Sequence, residues 1–121
     1  MKKILFVCTG NVDRSPTAER IYKNHPELEV KSAGIPGYVK QPVSEELLQW
    51  ADVILCMEDY HKRFIMNNYG NLIFGKIIDY LDIADEYSSF DTMLEIVIKK
   101  KVDAWLSNNS MIISIAAEKS R

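Results

Sequence analysis

The sequence predicts an α/β protein: a four-stranded parallel sheet with helices on both faces. Two observations predict the sheet. Short apolar segments alternate along the chain with segments of helical periodicity, in the order β-α-β-α-β-α-β-α. The strand segments are nearly continuous apolar runs, which is typical of parallel strands covered on both faces. A third observation, a tight polar loop between the first run and a helix start, predicts a ligand site at the carboxyl edge of the sheet.

The first part of the chain contains two strand signals around one helix signal. The continuous apolar run at 4–7 predicts a buried strand. Ser15 followed by Pro16 indicates a helix start, with Ser as N-cap and Pro as the first helical residue, so a helix is predicted over 15–24. Segment 28–33 alternates apolar and polar residues, which predicts the second strand.

The rest of the chain continues the alternation. Glycines and prolines in 34–42 predict a loop, and Ser44 is predicted to cap the helix that follows. The further elements predicted from apolar runs and helical spacing are helix 44–51, strand 52–57, helix 58–68, strand 76–81 and helix 91–106. Two interpretations of segment 107–121 stay open, a docked tail and a fraying extension.

Composition is that of an ordinary globular protein. The 121 residues are 47% hydrophobic and 26% charged, with a net charge of −2. These values predict a single domain over 1–121 and indicate no nucleic-acid or membrane partner. No stretch is long enough to span a bilayer and no signal-peptide pattern is present, so a cytoplasmic location is expected. Cys8 and Cys56 lack metal-type spacing, so we expect free thiols, no metal and no cofactor, and the oligomeric state stays open.

The loop after the first strand runs from Cys8 to Arg14. Gly10 and Asn11 are the residue types that best tolerate a positive φ, so the loop can turn tightly. Its backbone N–H groups can then point at one centre, beside the positive end of a helix, which is an arrangement that binds phosphate. Arg14 can contact two phosphate oxygens with its planar guanidinium. We therefore predict a phosphate-binding loop after the first strand.

The thiol of Cys8 lies at the floor of this predicted loop. Electropositive surroundings favour the thiolate, which is the nucleophilic form of cysteine. An alternative is a buried strand-end cysteine next to a surface arginine. The combination of an apolar strand, Gly-Asn within the loop and Ser-Pro after it favours the nucleophile.

The segment Cys8-Thr9-Gly10-Asn11-Val12-Asp13-Arg14-Ser15-Pro16 resembles the C-x5-R-S loop of the low-molecular-weight protein tyrosine phosphatases. The resemblance extends over most of residues 1–106. It implies that Cys8 is the nucleophile and that Arg14 binds the phosphate. It further implies that the other loop residues surround the substrate: Thr9, Gly10, Asn11, Val12, Asp13 and Ser15. Among these, Asn11 and Ser15 would stabilise the loop turn and the thiolate.

A polar loop over 82–87 follows the fourth predicted strand. Cleavage of a phosphate ester by Cys8 needs an acid for the leaving oxygen. Asp85-Glu86-Tyr87 is similar to the Asp-Pro-Tyr acid loop of the family, which implies that Asp85 is the general acid and that Tyr87 flanks the substrate ring. Glu86 replaces the usual proline, so a more mobile loop is expected. Asp82 is the rival candidate for the acid.

The region after the second strand also bears on the resemblance. Ser32-Ala33-Gly34 matches a family signature, and Tyr38 is expected on the rim of the pocket. The family usually carries an extra helix within the region that is reduced here to 38–44, so a shallower pocket is expected. A further departure lies in the first loop, where Asp13 replaces a second cysteine of many members. Asp13 is expected to face outward, because an inward carboxylate would weaken anion binding.

The expected activity is hydrolysis of phosphotyrosine-type monoesters through a cysteinyl-phosphate, on a phosphorylated protein or a small aryl phosphate. In the family, an apolar β-branched residue at the position of Val12 goes with phosphotyrosine, and threonine goes with phosphoarginine. Two alternatives stay open. One is an arsenate reductase of the same fold, for which Cys56 is a poor resolving cysteine. The other is a non-catalytic phosphopeptide-binding module, which would have no need of Asp85.

The remaining histidines, tryptophans and cysteine are expected to be structural. His25 and His61 are predicted to be solvent-facing helix residues. Trp50, Trp105 and Cys56 are predicted to lie in the core.

Overall fold

A computed structural model describes residues 2–37, 39 and 41–110. Its elements in chain order are β1 (Lys2–Cys8), α1 (Arg14–Tyr22), β2 (Leu28–Gly34), α2 (Glu45–Trp50), β3 (Val53–Cys56), α3 (Asp59–Tyr69), a 3₁₀ helix (Gly70–Leu72), β4 (Ile77–Tyr80) and α4 (Thr92–Asn108). The predicted alternation is confirmed. Most of the C-terminal segment whose interpretation was open, 111–121, lies outside the described residues. Among the described helices, none has the length and apolar character needed to cross a membrane.

The four strands form one parallel sheet in the order β2-β1-β3-β4. This arrangement confirms the predicted fold class. Cys8, at the end of β1, pairs with Gly34 of β2, and Val7 pairs with Cys56 of β3. Because all four strands run in one direction, their carboxyl ends meet at one edge, and the loop that follows β1 lies in the middle of that edge.

The run Ile4–Val7 is completely buried, which explains why it does not alternate with polar residues. Ile4 and Phe6 face a core built with α1 and α4, whereas Leu5 and Val7 face a second core built with α2 and α3. Helices therefore cover both faces of the sheet.

Of the three residues predicted to anchor the core, two are buried there. Trp105 is buried in the core with α1 and α4, and Cys56 is buried in the other core. The prediction for Trp50 is confirmed in part: the residue packs against the second core but is only partly buried, and its ring lies 4.5 Å from the Lys31 ammonium.

The start of α1 differs from the prediction. The helix begins at Arg14 with Asp13 as its N-cap residue, so the assignment of Ser15 as N-cap was wrong. The reason is a competing contact: the Ser15 hydroxyl lies 2.9 Å from the Cys8 sulfur, inside the loop. The predicted cap of α2 is confirmed, because the Ser44 hydroxyl accepts a hydrogen bond from the Leu47 N–H at 3.2 Å.

The connection after β2 folds back onto the end of that strand. Gly34 donates its N–H to the Gln41 carbonyl at 2.8 Å and accepts from the Val43 N–H at 2.8 Å. A Cβ at position 34 would lie 2.8 Å from the Thr9 carbonyl oxygen. Glycine at this position therefore allows β2 and the loop after β1 to approach closely. No helix occurs among the described residues of 35–43, in agreement with the expected shortening.

Candidate active site

The loop from Cys8 to Arg14 leaves the carboxyl end of β1 and turns directly into α1. Asn11 is the residue that adopts a left-handed backbone, with a φ of 53°. Its N–H points back to the start of the loop and donates to the Cys8 sulfur at 3.2 Å. Asparagine tolerates this conformation better than most residues do. The predicted tight turn is therefore present, and one backbone donor already faces the sulfur.

The Cys8 side chain is almost completely buried. Its sulfur contacts the Asn11 N–H and the Ser15 hydroxyl, which lies 2.9 Å away. Both groups can donate a hydrogen bond to a thiolate, and hydrogen bonds to the charged form stabilise it. The arrangement suits a cysteine that acts as a nucleophile.

Buried polar side chains support the loop from behind. The Asn11 amide nitrogen lies 3.0 Å from the Ser15 hydroxyl and 3.0 Å from the Ser32 hydroxyl of β2. Ser32 in turn donates to the Glu19 carboxylate of α1 at 2.6 Å. These contacts connect the loop to β2 and to α1, so the left-handed turn at Asn11 is fixed by its surroundings.

Arg14 is buried and contacts three separate parts of the chain. Its Nη1 donates to the Ile83 carbonyl at 2.7 Å and forms an ion pair with the Glu58 carboxylate at 3.1 Å. Its Nη2 donates to the Thr9 hydroxyl at 3.3 Å. The Asp85 carboxylate is 3.9 Å from its Nε. Four groups therefore surround the guanidinium and fix its position.

The surroundings of Arg14 also favour its charged form. Burial on its own lowers the pKa of a guanidinium. The interactions with the Glu58 carboxylate and the Tyr60 side chain outweigh burial, and the pKa of Arg14 is raised overall. The guanidinium is consequently a permanent positive charge at the floor of the site.

His61 contradicts the prediction that it faces solvent. It is completely buried at the start of α3, where its Nδ1 accepts from the Glu58 N–H at 3.0 Å and its Nε2 lies 2.9 Å from the Thr9 hydroxyl. Burial, followed by the nearby charge of Arg14, lowers the pKa of His61 to about 4. The imidazole is therefore neutral near pH 7. Because Nδ1 is an acceptor, Nε2 carries the proton and donates it to Thr9.

Glu58, Tyr60 and His61 are site residues that the sequence analysis did not identify. The Tyr60 hydroxyl also hydrogen-bonds to the Thr9 hydroxyl. One signal could have drawn attention to them: Glu58 and His61 have the spacing of a capping box directly after a strand that ends at the functional edge. The partners of these residues, Arg14 and Thr9, are more than 40 positions away, on the loop that follows β1.

A cavity of about 320 Å³ opens above the loop. The residues that line it are Cys8, Thr9, Gly10, Val12, Asp13, Arg14 and Asp85. The predicted nucleophile, phosphate ligand and acid are thus brought together. The Asp82 carbonyl accepts from the Lys101 ammonium, and this rival acid is not among the lining residues.

Not every predicted site residue lines this cavity. Asn11 and Ser15 lie behind the cavity wall, in the supporting hydrogen bonds described above. Tyr87 is partly buried against the core rather than lining the cavity. Tyr38 lies outside the described residues. Asp13, which was expected to face outward, is half-buried at the cavity wall, and its carboxylate accepts a hydrogen bond from Ser89 at 2.6 Å.

Several carboxylates lie at this site, and carboxylates are common metal ligands. Across 2–37, 39 and 41–110, no cluster of three or more His, Cys, Asp or Glu side chains could hold a metal ion.

Comparison with known proteins gives a consistent set of similarities. The family model for "Low molecular weight phosphotyrosine protein phosphatase" matches residues 3–49. The chain is 31% identical to the probable low molecular weight protein-tyrosine-phosphatase EpsP of Ralstonia nicotianae, over 88% of this chain and 94% of that protein. It is 34% identical to a protein-arginine-phosphatase of Bacillus subtilis, over 55% of this chain and 63% of that protein.

Solved structures show the same fold. The low molecular weight protein tyrosine phosphatase of Streptococcus pyogenes superposes with a TM-score of 0.71 at 19% identity, covering 89% of this chain and 93% of that one.

Proposed function

Because the chain belongs to the low-molecular-weight phosphotyrosine protein phosphatase family, we propose that it hydrolyses phosphotyrosine-type monoesters through a cysteinyl-phosphate intermediate. One observation carries the proposal. The Cys8 thiol, the Arg14 guanidinium and the Asp85 carboxylate line the same cavity. A nucleophile, an anion-binding group and a proton donor around one cavity are what cleavage of a phosphate ester requires.

In the first step, the Cys8 thiolate attacks phosphorus. A bond forms between sulfur and phosphorus as the bond from phosphorus to the phenolic oxygen breaks. Asp85, in its protonated form, donates its proton to that oxygen, so the phenol leaves uncharged. The Asn11 N–H donates to the sulfur, and the Ser15 hydroxyl, 2.9 Å away, can donate to the thiolate, so both groups support it before the attack.

During this step, negative charge spreads over the three equatorial oxygens of the phosphoryl group. Hydrogen-bond donors held in fixed positions stabilise that charge. Arg14 and the backbone N–H groups of the loop supply them. The contacts of Arg14 with Glu58 and Ile83 hold the guanidinium in place, so little reorganisation is needed when substrate binds. Such pre-organisation is the largest single contribution in many enzymes.

In the second step, water attacks the phosphorus of the cysteinyl-phosphate. The Asp85 carboxylate accepts a proton from the water, the bond between phosphorus and sulfur breaks, and inorganic phosphate and the Cys8 thiolate are released. Both steps use only groups of this chain and water, so no cofactor is part of the proposal.

The substrate preference follows from Val12. One relative is a protein-arginine-phosphatase, so phosphoarginine is the competing substrate class. The Val12 side chain is 56% exposed where it lines the cavity, and it has no hydroxyl that could accept a hydrogen bond from a guanidinium. Its methyl groups can instead contact an aromatic ring. We therefore favour phosphotyrosine or a small aryl phosphate.

The two other functions considered have weaker support. A phosphopeptide-binding module gains nothing from Asp85 beside the guanidinium, since a carboxylate there opposes anion binding. An arsenate reductase needs resolving thiols, and Cys56 is buried in a strand where its pKa is raised by burial. The proposal includes a cytoplasmic location, because Cys8 and Cys56 are free thiols that a reducing compartment preserves.

The basic test is hydrolysis of p-nitrophenyl phosphate by the full chain in the presence of a metal chelator. The wild-type chain should turn over, and Cys8→Ser should not. Cys8→Ser should still bind inorganic phosphate, because Arg14 and the loop N–H groups remain. Turnover by the serine variant, or a wild-type chain without turnover, would refute the proposed mechanism.

The role of Asp85 is tested by changing the leaving group. Tyrosine is a poor leaving group because its phenol has a pKa of about 10, whereas nitrophenolate is a much weaker base. Asp85→Asn should therefore slow phosphotyrosine hydrolysis more than p-nitrophenyl phosphate hydrolysis, by up to roughly 10²–10⁴-fold for the poorer leaving group. Asp82→Asn is the matched control. Equal losses on both substrates would indicate that Asp85 is structural, and a larger loss for Asp82→Asn would move the acid there.

A further inference from the structure

The loop that carries Asp85 is attached at both ends to the phosphate-binding loop. At its start, the Ile83 carbonyl accepts from Arg14 at 2.7 Å. At its end, the Ser89 hydroxyl lies 2.6 Å from the Asp13 carboxylate and 2.8 Å from the Val12 carbonyl. The loop is therefore positioned relative to Cys8 by direct contacts with the loop that contains Cys8.

Asp85 itself has few contacts that could position it. Its side chain is 63% exposed, and its carboxylate is 3.9 Å from the Arg14 Nε, beyond hydrogen-bond distance. Among residues 2–37, 39 and 41–110, no group donates a hydrogen bond to this carboxylate. The place of the Asp85 carboxylate thus depends on the backbone of its loop. That backbone is held at its start by the hydrogen bonds of Ile83 with Met57 and Arg14, and at its end by the contacts of Ser89.

We propose that Asp13 and Ser89 form a clasp that positions Asp85 for proton transfer to the leaving group. The proposal rests on the proposed phosphatase function and names two positioning residues, neither of which reacts with substrate. Asp13 suits this role because its carboxylate is not used to cap the helix. It is the N-cap residue of α1, yet it makes no side-chain capping hydrogen bond.

The clasp can be opened without unfolding the loop. The Ser89 backbone carbonyl is also approached by the Thr17 hydroxyl at 3.3 Å and by the Arg20 guanidinium at 3.5 Å. Phe90, the next residue, lies 5.5 Å from the same guanidinium. Ser89→Ala removes the hydroxyl and leaves these contacts in place. The variant should therefore fold and lose only the hydrogen bonds of the clasp.

The experiment measures kcat/KM for a series of aryl phosphates whose phenols span a wide range of acidity. Ser89→Ala should lose on the order of 3–10-fold on phenyl phosphate, the effect of one hydrogen bond, and much less on p-nitrophenyl phosphate. The fall of kcat/KM with increasing pKa of the leaving phenol should therefore be steeper in the variant than in the wild type. Inhibition by inorganic phosphate should not change, because the anion-binding groups are untouched. Ser88→Ala is the matched control: this neighbouring residue is exposed, and its hydroxyl makes no hydrogen bond with the described residues.

Two further variants separate positioning from general damage. Asp13→Ala removes a charge from the cavity wall and can change the rate on all substrates alike, but it should also produce the steeper leaving-group dependence. In an Asp85→Asn background, Ser89→Ala should have no additional effect, because the acid that it positions is absent.

Several outcomes would overturn the clasp. They are equal losses across the leaving-group series, a full additional loss in the Asp85→Asn background, and a Ser88→Ala variant that behaves like Ser89→Ala. If the wild-type chain hydrolyses aryl phosphates but Ser89→Ala leaves the series unchanged, the clasp fails and the proposed function stands. If the wild-type chain hydrolyses none of them, both are refuted.

Discussion

His61 provides a direct link between the site and the stability of the protein. Its pKa is lowered to about 4 in the folded chain, against 6.5 for an unperturbed histidine. As the pH falls through 6.5, the unfolded chain binds a proton at this residue, whereas the folded chain does so only near pH 4. The unfolded state therefore binds more protons in this window, and the free energy of unfolding must fall as the pH falls.

The size of the effect follows from the difference between the two pKa values. Between pH 6.5 and pH 4.5 the unfolded chain carries about one more proton at His61 than the folded chain, which costs about 1.36 kcal/mol per pH unit. From pH 7.5 to pH 4.5, His61 should therefore lower the free energy of unfolding by about 2.5 kcal/mol. His61→Gln removes the titrating group and keeps an amide that can accept from the Glu58 N–H and donate to the Thr9 hydroxyl. The variant should show a fall with pH that is smaller than that of the wild type by about this amount.

Urea unfolding at pH 7.5, 6.5, 5.5 and 4.5 measures the effect. His25→Gln serves as the matched control, since it removes the other histidine, whose Nδ1 accepts from the nearby Glu27 N–H away from the site. A His61→Gln variant whose stability falls with pH as steeply as that of the wild type would refute the reasoning. The same result would remove the basis for a neutral imidazole with its proton on Nε2.

Three other substitutions test separate parts of the site. Arg14→Lys should weaken inhibition by inorganic phosphate and lower kcat/KM on the order of 10²–10³-fold, because the bidentate guanidinium is lost; unchanged phosphate inhibition would contradict this. Glu58→Gln keeps the shape but removes the charge that pairs with the buried Arg14, so urea unfolding should show a loss of about 1–3 kcal/mol; a variant as stable as the wild type would remove the ion pair from the account. Val12→Thr should raise the ratio of phosphoarginine to phosphotyrosine kcat/KM, and a wild-type chain that already prefers phosphoarginine would overturn the assignment of substrate class.

The parts of the molecule that the sequence predicted well are those set by local signals. The apolar run Ile4–Val7 predicts a buried strand because both of its faces are covered, and the structure places a core on each side. Ser44 caps α2, and its hydroxyl accepts from the Leu47 N–H as the local pattern predicts. Ser15 has the same signal and fails as a cap, because the Cys8 sulfur lies within reach of its hydroxyl. The two serines differ in their tertiary surroundings, which a local pattern does not contain.

The parts that were missed depend on contacts between distant segments. His61 looks like a surface histidine in a polar helix, yet the sheet order β2-β1-β3-β4 places the start of α3 next to the loop after β1. The ion pair of Glu58 with Arg14 has the same origin. The sequence indicates that strands 1 and 3 both end at the functional edge, but it does not state that they are neighbours.

That neighbour relationship explains how so short a chain can position a buried guanidinium. β1 supplies Arg14 through the loop that follows it, β3 leads into Glu58, and β4 leads into Ile83, whose carbonyl accepts from the same guanidinium. The groups that fix Arg14 therefore come from three segments joined through one sheet. A displacement of any of them would leave a buried charge without part of its hydrogen bonding, which is costly. The requirement to satisfy Arg14 thus ties the loop that carries Asp85 to the loop that carries Cys8, and the geometry that catalysis needs is the geometry that the folded state prefers.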